Sequence, residues 1–226
     1  LYRPGRRWRG GEGDLVTFVE RNVLGTIRLI EAARSAGAQR FVYISSCSVH
    51  DVILEDRPLD EAHPTWSASH YGAHKAAVEN FIHSYALADG YEICSLRPTG
   101  IYGLARPPAA SKWFDIVQAV LRGEPIRLAD GGKEVHAVDV ARAVGILLTA
   151  EGVAGRAYNC YDMYVAFQDV AAIAKRLSGS GSEIVPLNKG PRHQIDTSRL
   201  RALGMAFGGR RLLESTVAEL VDAAGR

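Results

Sequence analysis

The stretch RFVYISS, residues 40–46, runs Phe41, Val42, Tyr43 and Ile44 together and stops on two serines. These are strand-favouring side chains with no polar residue alternating between them, which predicts a strand covered on both faces, as in a parallel sheet. A second run of this kind, YEICSLRP, occupies residues 91–98. Between the two, residues 70–89 carry a helical pattern that opens on YGAHKAAVENF, residues 71–81. Strand, loop, helix and strand make a βαβ unit, because parallel strands need a crossover. The carboxyl ends of both strands then share one rim, where open α/β sheets bind ligands.

The same alternation extends outward. Upstream, Val16, Val19, Val23, Ile27 and Ile30 recur at spacings of three and four, predicting a helix over 14–36 that stops at Gly37. Leu15, Phe18, Leu24 and Leu29 widen its apolar face, as expected of a helix held between its own sheet and a partner subunit. Downstream, helices are expected at 111–122, 137–150, 167–178 and 211–224, with short strands near 125–128, 156–160 and 183–186. GSGS at 179–182 is a turn-rich link. The class is α/β, with the last third forming a smaller lobe.

A chain of 226 residues suits one substantial core with a small appended lobe. At 47% hydrophobic and 23% charged it is neither disordered nor fibrous. A net charge of +2 favours no polyanion, and the one dense basic cluster, Arg3, Arg6, Arg7 and Arg9, falls in what we expect to be an unstructured leader, residues 1–13. No nucleic acid is expected as a partner. Cys47, Cys94 and Cys160 are far apart and lack a C-x-x-C spacing, so neither zinc nor a disulfide frame is expected. No stretch approaches the roughly 20 apolar residues of a membrane span, and no signal core follows the arginines. The expected location is cytoplasmic, without membrane attachment.

Tyr71 and Lys75 stand four apart and so share a helical face. Alone the pair is a weak signal, since Y-x-x-x-K arises by chance. Ser46 alone suits a strand-end turn, and Asn22 alone suits an amide bonded within its helix. Asp139 and His136 are expected to be structural, and Cys47 lacks a paired base. What raises the pair is convergence: ISSCS ends one strand, RPTGIYG ends the next, and the Tyr–Lys helix begins between them.

With NVLGTIRLIEAAR, FVYISSCSVH, YGAHKAAVE, LRPTGIYG, VHAVDVARAV and GRAYNCYD in order, residues 14–222 resemble the extended short-chain dehydrogenase/reductases, the NAD-dependent epimerase/dehydratases. The resemblance implies a partial Rossmann-like, doubly wound parallel sheet at 14–150, with a substrate-lobe insertion at about 104–135 and a C-terminal α/β substrate lobe at 151–226. It implies Ser46, Tyr71 and Lys75 as catalytic residues. Asn22, Ser45, Tyr71, Lys75 and Pro98 would face NAD or NADP. A lysine ammonium about 4 Å from a phenol, at an effective dielectric near 20, favours phenolate by up to roughly 4 kcal/mol. Tyr71 would move the proton, Ser46 would hold the reacting oxygen, and hydride would pass between cofactor and carbon. The family habit also implies a homodimer, joined through the helices near 14–36 and 70–88.

The pattern departs from the family in two places. A strand and a G-x-x-G-x-x-G turn, within roughly 70–80 residues preceding the Asn22 helix, are expected of the family, and GGEGDLV does not supply them. Two accounts stay open: a truncated enzyme, inactive in this form, or a non-catalytic Rossmann-like binding or scaffold protein that has lost dinucleotide binding. The first explains why Ser46, Tyr71 and Lys75 persist together. Members acting on nucleotide sugars also carry Asn in R-P-x-N-x-Y-G and Arg before the VHAVD block, where this chain has Gly100 and Gly132, with Lys133 next. Glycine cannot grip phosphate as arginine does, so a smaller sugar, lactone or carbonyl compound fits at least as well. LARPPAASKWF, with Lys112, Trp113 and Phe114, is the expected substrate-facing loop.

Overall fold

Residues 14–185, 190 and 193–225 are described by the computed structural model. They open with α1 (Leu15–Val19), a π-helical turn (Glu20–Leu24) and α2 (Gly25–Ser35), followed by β1 (Arg40–Ile44), a 3-10 turn (Cys47–Val49), α3 (His70–Asp89) and β2 (Glu92–Pro98). Next come β3 (Gly100–Tyr102), α4 (Phe114–Leu121), β4 (Gly131–His136) and α5 (Ala137–Thr149). The chain ends with β5 (Ala157–Cys160), β6 (Met163–Ala166), α6 (Phe167–Ser178), α7 (Ser198–Ala202) and α8 (Gly209–Ala224). Among these helices none is long and apolar enough to cross a membrane.

Two units divide the chain. The first comprises the stretch up to Thr99 with Arg142–Cys160 and Ile195–Met205. Its sheet is parallel in the order β1-β2-β5, with Arg40 opposite Glu92, and Ser95 opposite Ala157. β2 is central and almost wholly buried, as its unbroken apolar run predicts. β1 differs from expectation: it flanks β2 on one side, and Ile44 is exposed, so its apolar run covers only part of a buried face. α3 lies on this sheet through Val78 and Ile82, which pack with Ile30, Tyr43 and Ile93. The Ser69 hydroxyl caps its first turn by accepting from Gly72 N at 3.1 Å, and Gly90, at φ 64°, ends it.

Gly100–Ala141, Tyr161–Gln194 and Ala206–Arg226 form the second unit. Its sheet, β3-β4-β6, is parallel between β3 and β4 and antiparallel between β4 and β6. α4, α6 and α8 pack together through Val117, Val120, Val170, Ile173, Val217 and Leu220. A lobe beginning at 151 is therefore displaced: β5 pairs with β2, and Leu59 bridges Ile195, so these segments belong to the first unit. The strands expected at 125–128 and 183–186 reduce to one parallel bridge, Ile126 to Ile184. The expected leader, its arginine cluster and the GGEG stretch lie outside the described residues.

Candidate active site

The carboxyl end of β1 carries Ser45 and Ser46, both buried. Ser45 N donates to Leu96 O at 2.7 Å, tying this end to β2, where Pro98 and Thr99 follow. Ser46 Oγ accepts from Ser48 N at 3.1 Å and so caps the 3-10 turn, the ordinary use of a serine at such a bend, while its own O–H remains able to donate. The first turn of α3 sits against this bend. A Cβ on Gly72 would run into both Ser48 O and Ser67 Oγ, so glycine is what lets the helix, with Tyr71 beside it, approach so closely. Asp51 holds the approach by accepting at Oδ2 from Ser67 Oγ and Ala68 N, each at 2.8 Å.

Lys75, one turn on, donates from Nζ to Ile44 O at 2.7 Å. Its ammonium lies 4.7 Å from the ring centre of Tyr43 and 5.9 Å from that of Tyr71. The direct bond of the ammonium goes to the strand carbonyl immediately before Ser45. Burial holds the Lys75 ammonium below its usual range, opposed by the Glu79 carboxylate.

Asn22 falls inside the π-helical turn, a distortion that often marks functional positions. Its amide donates back to Phe18 O at 2.9 Å, while Asn22 O accepts from Thr26 Oγ1 at 2.8 Å. It reaches the others at one remove. The Phe18 ring meets His74 edge-on at 5.2 Å, and His74 meets the Tyr71 ring at 5.2 Å. Burial lowers His74 to about 4, so the ring is neutral near pH 7.

Beneath Lys75 lies a polar group that the motif search passed over. Arg97 Nε donates to Glu79 Oε1 at 3.0 Å and Arg97 Nη2 to Oε2 at 2.5 Å, both residues buried. Arg97 Nη1 bonds His50 Nε2 at 3.1 Å, while His50 Nδ1 faces Pro64 O at 3.1 Å. A guanidinium can only donate and a carbonyl can only accept, so the tautomer is fixed: His50 donates from Nδ1 and accepts at Nε2. Nothing in the spacing of Glu79, Arg97 and His50 marks them as partners, since they meet only through the pairing of α3 with β2. Cys47 Sγ donates to Arg97 O at 3.0 Å, and burial lifts its thiol to about 12, which leaves no thiolate to act as nucleophile. His136 bonds Thr216 Oγ1 at 3.1 Å, and Asp139 accepts from Gly208 N at 2.9 Å, consistent with the structural uses expected of both.

Residues 8–160 match the NAD dependent epimerase/dehydratase family. The chain belongs to that family. Over 148 residues it is 30% identical to a dTDP-D-glucose 4,6-dehydratase of Mus musculus, covering 63% of this chain and 40% of that protein. Over 84 residues it is 40% identical to a UDP-glucose 4-epimerase of Rhizobium leguminosarum bv. trifolii, covering 37% of this chain and 24% of the relative. The chain thus spans well under half the length of these curated relatives. Among solved structures it resembles RMD from Pseudomonas aeruginosa complexed with NADPH, with a TM-score of 0.77, 19% identity, and coverage of 93% of this chain and 74% of that one. The UDP-glucose 4-epimerase of Thermus thermophilus in complex with NAD gives a TM-score of 0.69 at 23% identity, covering 92% and 70%. These likenesses establish the Rossmann-like α/β fold of the family.

The family's dinucleotide can be tested against the rim. Ser45 Oγ and Thr99 Oγ1 are both buried without a hydrogen-bond partner among the described residues, at the carboxyl ends of adjacent parallel strands. Unsatisfied buried hydroxyls carry a cost that a polar ligand would remove. With the Lys75 ammonium at Ile44 O, next to Ser45, this rim has the polar chemistry to accept such a group. Thr99 was not singled out in the sequence, where it is hidden inside RPTG.

Proposed function

We propose that this chain carries the catalytic rim of an NAD(P)-dependent oxidoreductase, epimerase or dehydratase acting on a sugar-like or small carbonyl or alcohol substrate. The observation that supports the reading is the close seating of the α3 first turn, which carries Tyr71, on the Ser46–Ser48 bend, together with the Lys75 ammonium bonded to Ile44 O at the same strand end. NAD or NADP, when bound, supplies the hydride acceptor or donor. Ser45, Lys75 and Pro98 hold its nicotinamide end, with Thr99 adding a donor and Asn22 shaping the neighbouring helix. Ser46 donates its O–H to the reacting oxygen of the substrate and fixes the orientation of that oxygen. Tyr71 takes the alcohol proton, or returns it, at that same oxygen. Lys75 supplies positive charge that favours the phenolate and can shift from Ile44 O to a ribose hydroxyl.

Tyr71→Phe keeps the ring and removes the proton carrier. In a form of the protein that includes the glycine-rich region and is active, turnover is expected to fall by about 100-fold or more, while quenching of nicotinamide fluorescence on binding stays within a few-fold. Lys75→Met should weaken that fluorescence signal directly. Unchanged turnover in Tyr71→Phe overturns the proposal.

The partner we infer is a second copy. Val16, Val19, Leu24 and Leu29 are exposed along the first helix, and Leu15, Val19, His70 and Ala77 line an apolar cavity of about 260 Å³ between that helix and α3. Sedimentation should show a dimer that Val19→Asp converts to monomer, and a monomeric wild type at micromolar concentration excludes it.

A further inference from the structure

Residues 51–68 run as a strap from the Ser46–Ser48 bend to the first turn of α3, and two buried histidines hold it. His50, at its start, accepts at Nε2 from Arg97 and donates from Nδ1 to Pro64 O. His63, near its end, is fixed in the same way. Its Nδ1 lies 3.1 Å from Pro58 O, a carbonyl that can only accept, and its Nε2 accepts at 3.0 Å from Leu54 N, an amide that can only donate. The two rings meet edge-on at 5.7 Å. Each histidine thus offers a bare Nε2 to a group that has only a hydrogen to give. A proton arriving at either nitrogen sets N–H against N–H, and the strap must then move away.

The other ties of the strap run through the same places. Arg97 Nη1 also donates to Glu61 O at 3.2 Å, and Glu61 Oε1 accepts from Asn159 N of β5 at 2.8 Å. Asp51 N and Val52 N both donate to Trp66 O at 3.1 Å, which closes the strap on itself. Its last residues, Ser67 and Ala68, are those that Asp51 holds against α3. The carboxylates around the rings are already engaged, so none is spare to balance an imidazolium. Glu79 of α3 is taken by Arg97, Glu61 lies 3.6 Å from Arg199 of α7, and Asp60 caps Ala62 N and faces Arg57 at 3.7 Å. The charge in contact with His50 is the Arg97 guanidinium of β2, itself a cation, and the Cys47 thiol, lifted to about 12 by burial, stays neutral.

We propose that residues 51–68 form an acid-released strap: a proton taken up at Nε2 of His50 or His63 detaches the strap from β2 and β5 while the sheet stays folded, and the first turn of α3 loses the contacts that seat it on the serine bend. At neutral pH the strap is shut and the rim is assembled. Burial and then Arg97 bring folded His50 down to about 4, against about 6.5 for a free histidine. Closure is therefore complete above about pH 7 and is lost as pH falls through that window. The strap needs neither dinucleotide nor substrate, so it stands or falls apart from the redox reading above.

Hydrogen–deuterium exchange of the chain at pH 7.5 and pH 5, corrected for the intrinsic pH dependence of amide exchange, tests it. The strap amides, Val52, Leu54 and Ala68 among them, should open about 30-fold more often at pH 5, the change that His50 alone imposes on release. At pH 5 they should also open at least about 100-fold more often than the amides of β2, whose exchange requires the sheet to unfold. His50→Gln, which accepts from Arg97 without taking up a proton, should cut the rise to about five-fold or less, and adding His63→Gln should bring it to about two-fold or less. Strap protection that does not change with pH, an opening frequency shared with β2 at pH 5, or a His50→Gln profile identical to wild type overturns the proposal. If a variant fails to fold, which near-UV circular dichroism would reveal, NMR titration of the histidine ring carbons in the wild type decides instead: opening of the strap with neither His50 nor His63 taking up a proton excludes the mechanism.

Discussion

At the scale of single residues, Gly72 explains more of the rim than either hydroxyl beside it. Its neighbours are Ser48 O, a backbone atom of a capped turn, and Ser67 Oγ, which is itself held by Asp51. Neither can move aside without loosening the bend that presents Ser46. Gly72→Ala should therefore cost about 2–3 kcal/mol in urea denaturation, well above the gain expected from alanine in a helix. The same variant should reduce turnover with little change in cofactor affinity, because it lifts Tyr71 from the bend while leaving the strand ends in place. A neutral or stabilising result would mean that α3 does not sit where the serine turn places it.

At the scale of elements, what could be read in advance followed from how each segment is buried. β2 was legible because its strand formers run unbroken and it is covered on both faces, and α3 because a helix-forming stretch lies between two such strands. β4 was not, since GGKEVH sets two glycines and two charges where strand formers are expected, and its strand character comes from pairing with β3 and β6. Ser46, Tyr71 and Lys75 were singled out by their convergence at the strand ends and by the family resemblance, spacing alone being a weak signal. Arg97, Glu79 and His50 were not, because their importance lies in mutual burial. That network pins α3 to β2. Arg97→Met leaves the Glu79 carboxylate buried and unpaired and should cost about 3–5 kcal/mol. Adding Glu79→Leu should restore only part of this, since Arg97 Nη1 also serves His50 Nε2 and Glu61 O. Full recovery in the double variant would show that those two contacts contribute nothing.

At the scale of the molecule, buried neutral histidines tie the first unit to pH. His50 is brought down to about 4, first by burial and then by the Arg97 guanidinium, with the neighbouring His63 ring adding to it and Glu79 opposing. An unfolded histidine titrates near 6.5, so between about 6.5 and 4 the unfolded chain binds the proton that folded His50 refuses. Stability from this residue is complete above about pH 7 and drains away as pH falls through that window, by an amount on the order of 2–3 kcal/mol. His74, lowered to about 4 by burial and by Lys75, acts in the same direction. Glu61 and Glu134 oppose both: their carboxyls are raised by burial, so the folded state holds their protons more readily as the medium becomes acidic. Urea denaturation at pH 7.5 and pH 5 should accordingly show a loss on acidification that His50→Gln makes smaller, because glutamine can accept from Arg97 without taking up a proton. An identical loss in wild type and variant would place the acid sensitivity elsewhere than at the arginine–histidine contact.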